Sequence, residues 1–348
     1  MKKIRILFLT ILSAAAGVIL VGCTGGDDDG GADGGSAGGG GGDIQLAYVT
    51  NGVDPFWTLA EAGVKKASAD LGVPCDVMMP AGGAVEQKSM LEDLVTRGVT
   101  GIAVSPIDAA NQIDLLNMVA ERSILITHDS DAPASNRQAF IGVDNYDGGR
   151  LCGQLVKEAL PDGGKVMILI GRMEQDNAKR RRQGVIDELL DRPHDPTRFD
   201  PPGAPIEGEK FTILGTLTDQ FDRSKAKANA EDTLARNPDL AAFVGLFAYN
   251  PPAALEALDQ AGKLGQVKVI AFDEDNATLQ GIVDGNVHGT VVQNPYDYGY
   301  QSVKVLKALA EGDTSVIPEN KFIHVPARQI RKADVDAFWT DLKEKRGD

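Results

Sequence analysis

The acids and amides best placed to handle a small molecule sit at the carboxyl ends of short apolar runs. Asp129 ends the run Ile124–Thr127 and Asp273 ends Val267–Phe272, while Asn250 follows Ala241–Phe247 and Gln293 follows His288–Val292. Asn51 and Asp54 lie in the loop after Ile44–Val49, and Phe56 and Trp57 open the helical segment behind that loop. Carboxylates accept short, charge-assisted hydrogen bonds, and aromatic rings cover apolar surface. Together they are equipment for holding a ligand. Local roles compete with that reading. Asn51 and Asp54 suit a turn, Asp54 before Pro55 suits a helix N-cap, and so does Asn250 before Pro251. Gln293 can serve backbone groups alone, and one of Phe56 and Trp57 belongs to the core. Equipment for making and breaking bonds is missing. There is no Walker-type loop or His-Glu-x-x-His motif, and only four histidines, so a nucleophile–base pair has few places to form. An enzyme is therefore not expected.

The elements that must position these residues alternate along the chain. Strands are expected at Ile44–Val49, Asp76–Met79, Gly101–Val104, Ile124–Thr127, Phe140–Val143, Lys165–Ile170, Phe211–Leu217, Ala241–Phe247, Val267–Phe272 and His288–Val292. Helical periodicity fills Phe56–Leu71, Val85–Arg97, Ile113–Glu121, Asn177–Leu190 and Ser224–Arg236. Repeated βαβ units imply parallel sheets with helices on both faces. From residue 44 the chain is longer than one core usually serves, so the expected fold is α/β with two doubly wound parallel-sheet lobes. Ligands of such sheets bind outside the strands' carboxyl ends, which puts a cleft between the lobes. The stretch from Asp191 to Gly208 holds five prolines and reads as a surface insertion.

The N-terminal stretch is a targeting segment. Lys2, Lys3 and Arg5 precede a fifteen-residue, mostly apolar run from Ile6 to Leu20. That is short for a membrane span and suited to a signal-peptide core. The run ends in Leu20-Val21-Gly22-Cys23, which resembles the lipobox of bacterial lipoproteins and makes Cys23 the lipidation site. Residues 24–43 are almost entirely Gly, Asp, Ala and Ser, a composition that forms a tether and not a fold. Removing residues 1–22 takes the formal charge from −15 to −18, because they hold three cations and no acid. An acidic body excludes nucleic acid as a partner. Cys75 and Cys152 are expected as two buried thiols instead of a bridge, and no cluster has metal-ligand spacing, so neither metal nor cofactor is expected.

Several strings then come into focus as an ordered set. Ala47-Tyr48-Val49-Thr50-Asn51-Gly52-Val53-Asp54-Pro55-Phe56-Trp57, His128-Asp129-Ser130-Asp131-Ala132-Pro133, Val143-Asp144-Asn145, Ala248-Tyr249-Asn250, Ala271-Phe272-Asp273 and Val292-Gln293 resemble, in order and spacing, the periplasmic sugar-binding proteins of the ribose-binding type. The glucose- and xylose-binding branch is the more similar. The resemblance runs from residue 44 to about 325. It implies two lobes joined by three crossover strands: residues 44–143 with 294–321, and 144–293 with the tail from 322.

The resemblance also implies roles. A pyranose has apolar faces and a rim of hydroxyls, and a buried hydroxyl left unpaired costs about 1–3 kcal/mol. Trp57 stands where the family places a stacking aromatic, with Phe56 beside it, and Asp54 where it places a polar sugar contact. Arg181 matches the family's sugar-binding arginine by its distance from Gly184. Asn177 lies one turn earlier on the same side. Lys179, Arg180 and Arg182 read as a solvated face. Phe221 matches an aromatic of the ribose-binding proteins. Ser130 replaces the arginine that follows the aspartate in that family, which makes Asp131 the candidate second acceptor. The implied function is an extracytoplasmic, lipid-anchored, monomeric receptor for a hexose or pentose that feeds an ABC permease. A chemotaxis or signalling receptor with the same binding chemistry is the alternative. A repressor's effector domain shares the fold but needs an N-terminal helix-turn-helix, where this chain has its targeting segment.

Overall fold

The computed structural model describes residues 43–347. The targeting segment, Cys23 and the tether up to residue 42 lie outside these residues. The strands are β1 (Leu46–Val49), β2 (Cys75–Met78), β3 (Gly101–Val104), β4 (Ile124–His128), β5 (Phe140–Gly142), β6 (Gly164–Ile170), β7 (Ile206–Glu207), β8 (Phe211–Thr218), β9 (Leu240–Gly245), β10 (Lys268–Phe272), β11 (Gly289–Val292), β12 (Phe322–His324) and β13 (Arg328–Ile330). The helices are α1 (Pro55–Leu71), α2 (Gly83–Thr96), α3 (Ile113–Ala120), α4 (Asn145–Ala159), α5 (Asp176–Leu189), α6 (Arg223–Arg236), α7 (Asn250–Gln260), α8 (Asn276–Asp284), α9 (Pro295–Ala310) and α10 (Val335–Arg346).

The strands form two sheets, ordered β12-β5-β4-β3-β1-β2 and β13-β11-β10-β9-β6-β8-β7. The first is parallel throughout. The second is parallel except where β13 and β7 pair antiparallel with their neighbours. Both faces of each sheet are covered, which explains the near-continuous apolar strands. In β1, Leu46 and Tyr48 face one core while Ala47 and Val49 face another. In β6, Met167 and Leu169 face one core while Val166, Ile168 and Ile170 face the other.

The chain crosses between the sheets three times: after β5, after β11 and between β12 and β13. Resemblance placed the last crossing at residue 322. Phe322–His324 pairs with Phe140–Gly142 in the first sheet, so the crossing comes after His324.

Further differences concern charges. Arg182 is not solvated: it is 1% exposed, and its guanidinium donates to Asp200 O at 2.6 Å and Thr216 Oγ1 at 2.7 Å. Arg192 and Arg198 add ion pairs to the buried Asp187 at 3.3 and 2.8 Å. The proline-rich insertion is thus held onto α5 by arginines. Lys179 and Arg180 are half-buried, and Arg180 pairs with Asp176 at 2.7 Å. Cys75 and Cys152 are free thiols; Cys152 is buried, but Cys75 only half so.

Helices α4 and α5 meet closely, and this sets the position of Arg181. A Cβ on Gly149 would lie 2.0 Å from Arg181 O. Gly149→Ala should therefore separate the helices and cost about 1–3 kcal/mol, the range for overpacking. Chemical denaturation measures it, and wild-type stability in the variant would show that the two helices do not set each other's spacing.

Candidate functional site

Both sheets end at a cavity of about 400 Å³. Its wall comes from the loops after β1, β2 and β4 on one side and after β6, β8, β9 and β10 on the other. Asn51, Asp54, Phe56, Trp57, Asp129, Asn177, Arg181, Phe221 and Asp273 all line it.

At its floor Arg181 joins two buried carboxylates. The guanidinium lies 3.4 Å from Asp129 Oδ1 and 3.8 Å from Asp273 Oδ2, and its side chain is 1% exposed. Its Nε donates to Asn145 Oδ1 at 2.8 Å and its Nη1 to Leu246 O at 3.2 Å. The plane sits over the Phe272 ring, 4.1 Å from the centroid. Asp129 also accepts from Asn177 at 3.1 Å, Ser105 at 3.2 Å and Asn51 at 3.4 Å. Asp273 accepts from Gln293 at 2.7 Å.

The two aspartates are counterparts. Each follows the fourth major strand of its sheet, β4 or β10, with a left-handed backbone: φ is 57° at Asp129 and 70° at Asp273. Each donates its backbone N–H to the next strand, Asp129 to Ile141 O at 3.0 Å and Asp273 to Val291 O at 2.7 Å. This conformation costs on the order of 1 kcal/mol, and such strain concentrates at ligand sites. Burial raises the pKa of both carboxyls against the opposing pull of Arg181; Asp273 is pushed up to about 7.

Apolar contact comes from two aromatic groups. In the first lobe Phe56 and Trp57 meet edge to face at 4.8 Å, and Trp57 meets His128 likewise at 5.6 Å. In the second lobe Phe221 packs against Phe247 at 5.6 Å and Tyr249 at 6.1 Å. Gln220 and Phe221 both have positive φ, 62° and 65°, in the turn that carries Phe221 to the cavity. His128 supports Trp57 from inside. Its Nε2 lies 3.2 Å from Val49 O, an acceptor only, so Nε2 carries the proton and Nδ1 accepts from Tyr48 OH at 2.9 Å. Burial lowers the His128 pKa to about 3. Its ring NMR signals should hold constant from about pH 8 to about pH 5; a midpoint near 6.5, the usual histidine value, would overturn this assignment.

The two oxygens of Asp54 have different partners. Oδ1 caps α1 by accepting from Phe56 N at 3.0 Å, and Oδ2 faces Arg223 of the other lobe at 3.4 Å. Three expected residues do not line the cavity. Asp131 is taken by Arg137, at 2.5 and 2.6 Å, and by Thr127 at 2.6 Å, so it is not a second acceptor here. Asn250 folds back on its own loop, accepting from Phe247 N at 3.1 Å and donating to Asp219 at 2.8 Å. Gln293 stands behind Asp273 and orients it, its own Oε1 accepting from Tyr298 OH at 3.0 Å. Sequence reasoning missed Arg172, Arg223, Phe247 and Tyr249 on the cavity wall, and Ser105 and Asn145 behind it. Arg172 and Ser105 each lie just past a strand's carboxyl end, where the rule that found Asp129 would have found them. Among the described residues no group of three or more His, Cys, Asp or Glu is placed to hold a metal ion.

Comparison with known proteins agrees with this architecture. The ribose import binding protein RbsB of Salmonella typhimurium is 25% identical over 264 residues, spanning 75% of this chain and 82% of that protein. The D-allose-binding periplasmic protein of Escherichia coli is 26% identical over 282 residues, spanning 77% and 84%. The crystal structure of GanP, a glucose-galactose binding protein from Geobacillus stearothermophilus, superposes with a TM-score of 0.75 at 25% identity, covering 84% of this chain and 99% of that one. An ABC transporter solute-binding protein from Burkholderia graminis, in complex with D-arabinose, superposes equally at 0.75 with 26% identity, covering 84% and 96%. The sequence model of the periplasmic binding protein domain matches residues 47–314, most of the chain and both sheets, so this protein belongs to the periplasmic binding protein family.

Proposed function

We propose that the protein is an extracytoplasmic solute-binding protein that captures a monosaccharide, a hexose or pentose, and delivers it to an ABC-type permease. The observation that carries this is the Asp129–Arg181–Asp273 bridge across the cleft, flanked by Trp57 on one lobe and Phe221 on the other. The carboxylates and the guanidinium supply acceptors and donors for ring hydroxyls, and the rings cover the apolar C–H faces. A cavity of about 400 Å³ accommodates one such sugar. Arg181 and Asp129 belong to different lobes, so closure about the three crossover segments completes the site. No catalytic step and no metal enter this account.

A thermal-shift screen of the full-length protein against glucose, galactose, xylose, ribose and arabinose tests it. A ligand at a hundred times its dissociation constant should stabilise by about 2.7 kcal/mol. Stabilisation by amino acids or nucleosides, with none by any sugar, would show the ligand class to be wrong.

The Leu20-Val21-Gly22-Cys23 string and the glycine-rich tether support a lipid anchor at Cys23. Cys23→Ser should release the protein from the membrane fraction. Equal membrane retention of variant and wild type would remove the anchor from the proposal.

A further inference from the structure

Arg172 is a cation in the cleft without a counter-charge among the described residues. It follows β6 through Gly171 and lines the cavity. Among the described residues Arg181 has Asp129 and Asp273, and Arg223 has Asp54. Arg172 takes part in no ion pair or hydrogen bond there, and its buried Nε has no partner. The side chain is not loose: its guanidinium lies over the Phe221 ring, 4.9 Å from the centroid. It also reaches across the cleft, with Nη1 3.8 Å from where a Cβ on Gly83 would sit at the start of α2. A group held there would touch both lobes.

The charge balance of the cavity points the same way. Three carboxylates, Asp54, Asp129 and Asp273, face three guanidiniums, Arg172, Arg181 and Arg223. Asp129 and Asp273 are engaged by Arg181 and Asp54 by Arg223, which leaves Arg172 as the guanidinium of the cavity wall with no acid beside it among the described residues.

We infer that the ligand is a sugar acid, a monosaccharide whose carboxylate is received by Arg172 while its hydroxyls meet Asp129, Asp273 and Asn177. This rests on the monosaccharide reading above and narrows it. A carboxylate fits better than a phosphate dianion, since one unpaired guanidinium offers one positive charge and a forked pair of donors.

Calorimetric titration of the full-length protein with matched pairs tests the inference: D-glucose against D-glucuronate and D-galactose against D-galacturonate, with D-glucose 6-phosphate as a third anion. The acid of at least one pair should bind about tenfold to a hundredfold more tightly than its neutral partner, the effect of one hydrogen-bonded charge. Arg172→Gln should weaken binding of both members and bring their ratio near one, while Arg172→Lys keeps part of the preference. Neutral sugars that bind as tightly as their acids overturn the inference and leave the monosaccharide reading standing. Failure of every monosaccharide to bind overturns both. Tighter binding of the phosphate than of either uronate overturns the assignment to a carboxylate. If Arg172→Gln does not fold, the wild-type ratios still decide.

Discussion

Arg181→Ala should lower the stability of the protein and abolish ligand binding together. Its side chain is 1% exposed and stands between Asp129 and Asp273. Truncation leaves two buried carboxyls without their cation and frees Asn145 Oδ1 and Leu246 O from their donors. Breaking a buried pair by removing one partner costs about 3–5 kcal/mol, most of it the penalty of the charge left behind. In the proposed role the same guanidinium donates to ligand hydroxyls, so affinity should fall by about a hundredfold or more. Denaturant titration and calorimetry measure the two effects. Combining Arg181→Ala with Asp129→Asn and Asp273→Asn should recover part of the stability, because no uncompensated acid remains, but none of the binding. A single variant as stable as wild type would show that the bridge is not what holds the floor of the cleft.

The second large effect is a pH dependence traced to Asp273. Its carboxyl titrates at about 7 in the folded protein, chiefly through burial, with Arg181 and Gln293 pulling the other way. In an unfolded chain the value is about 3.9. Below about pH 4 the group is protonated in both states, and its burial carries no charge penalty. As the pH rises toward about 7 the unfolded chain releases the proton first, so folded-state stability is progressively lost across that window. The loss reaches a few kcal/mol at the upper end. Asp273→Asn has no such titration. Its melting temperature relative to wild type should climb from about pH 4 to about pH 7 and level off above. Glu274 is also buried with a raised pKa, through burial and then the Asp273 charge beside it, so the difference reports the relief of this neighbour together with the loss of Asp273. A difference that stays constant from about pH 4 to pH 8 would show that Asp273 is not buried as a strained acid. The same substitution weakens sugar binding in the proposed role, but Gln293 and Arg181 already engage this carboxyl, so stability and affinity should change together.

The fold class and the side of the sheets that carries the site were legible from local pattern. Runs such as Leu46–Val49 are apolar at every position because both faces of a parallel strand are covered, and that covering appears directly as composition. An acid directly after such a run must emerge at the strand's carboxyl end, which is why Asp129 and Asp273 could be named before any coordinate. Their partners are a different matter. Asp129 meets Arg181 from 52 residues away and Arg181 meets Leu246 from 65, separations that periodicity does not encode. Asp131 differs from Asp129 by two positions, yet Arg137 claims it and turns it from a ligand candidate into a structural ion pair. Arg182 neighbours Arg181, yet one turns to the insertion and the other to the cleft, because successive residues of a helix point about 100° apart. Local propensity and hydrophobic period therefore determined which elements form and which of their ends carry polar groups. Only the docking of elements distant in sequence decided which of those polar groups are already satisfied and which, like Arg172, are left facing the ligand.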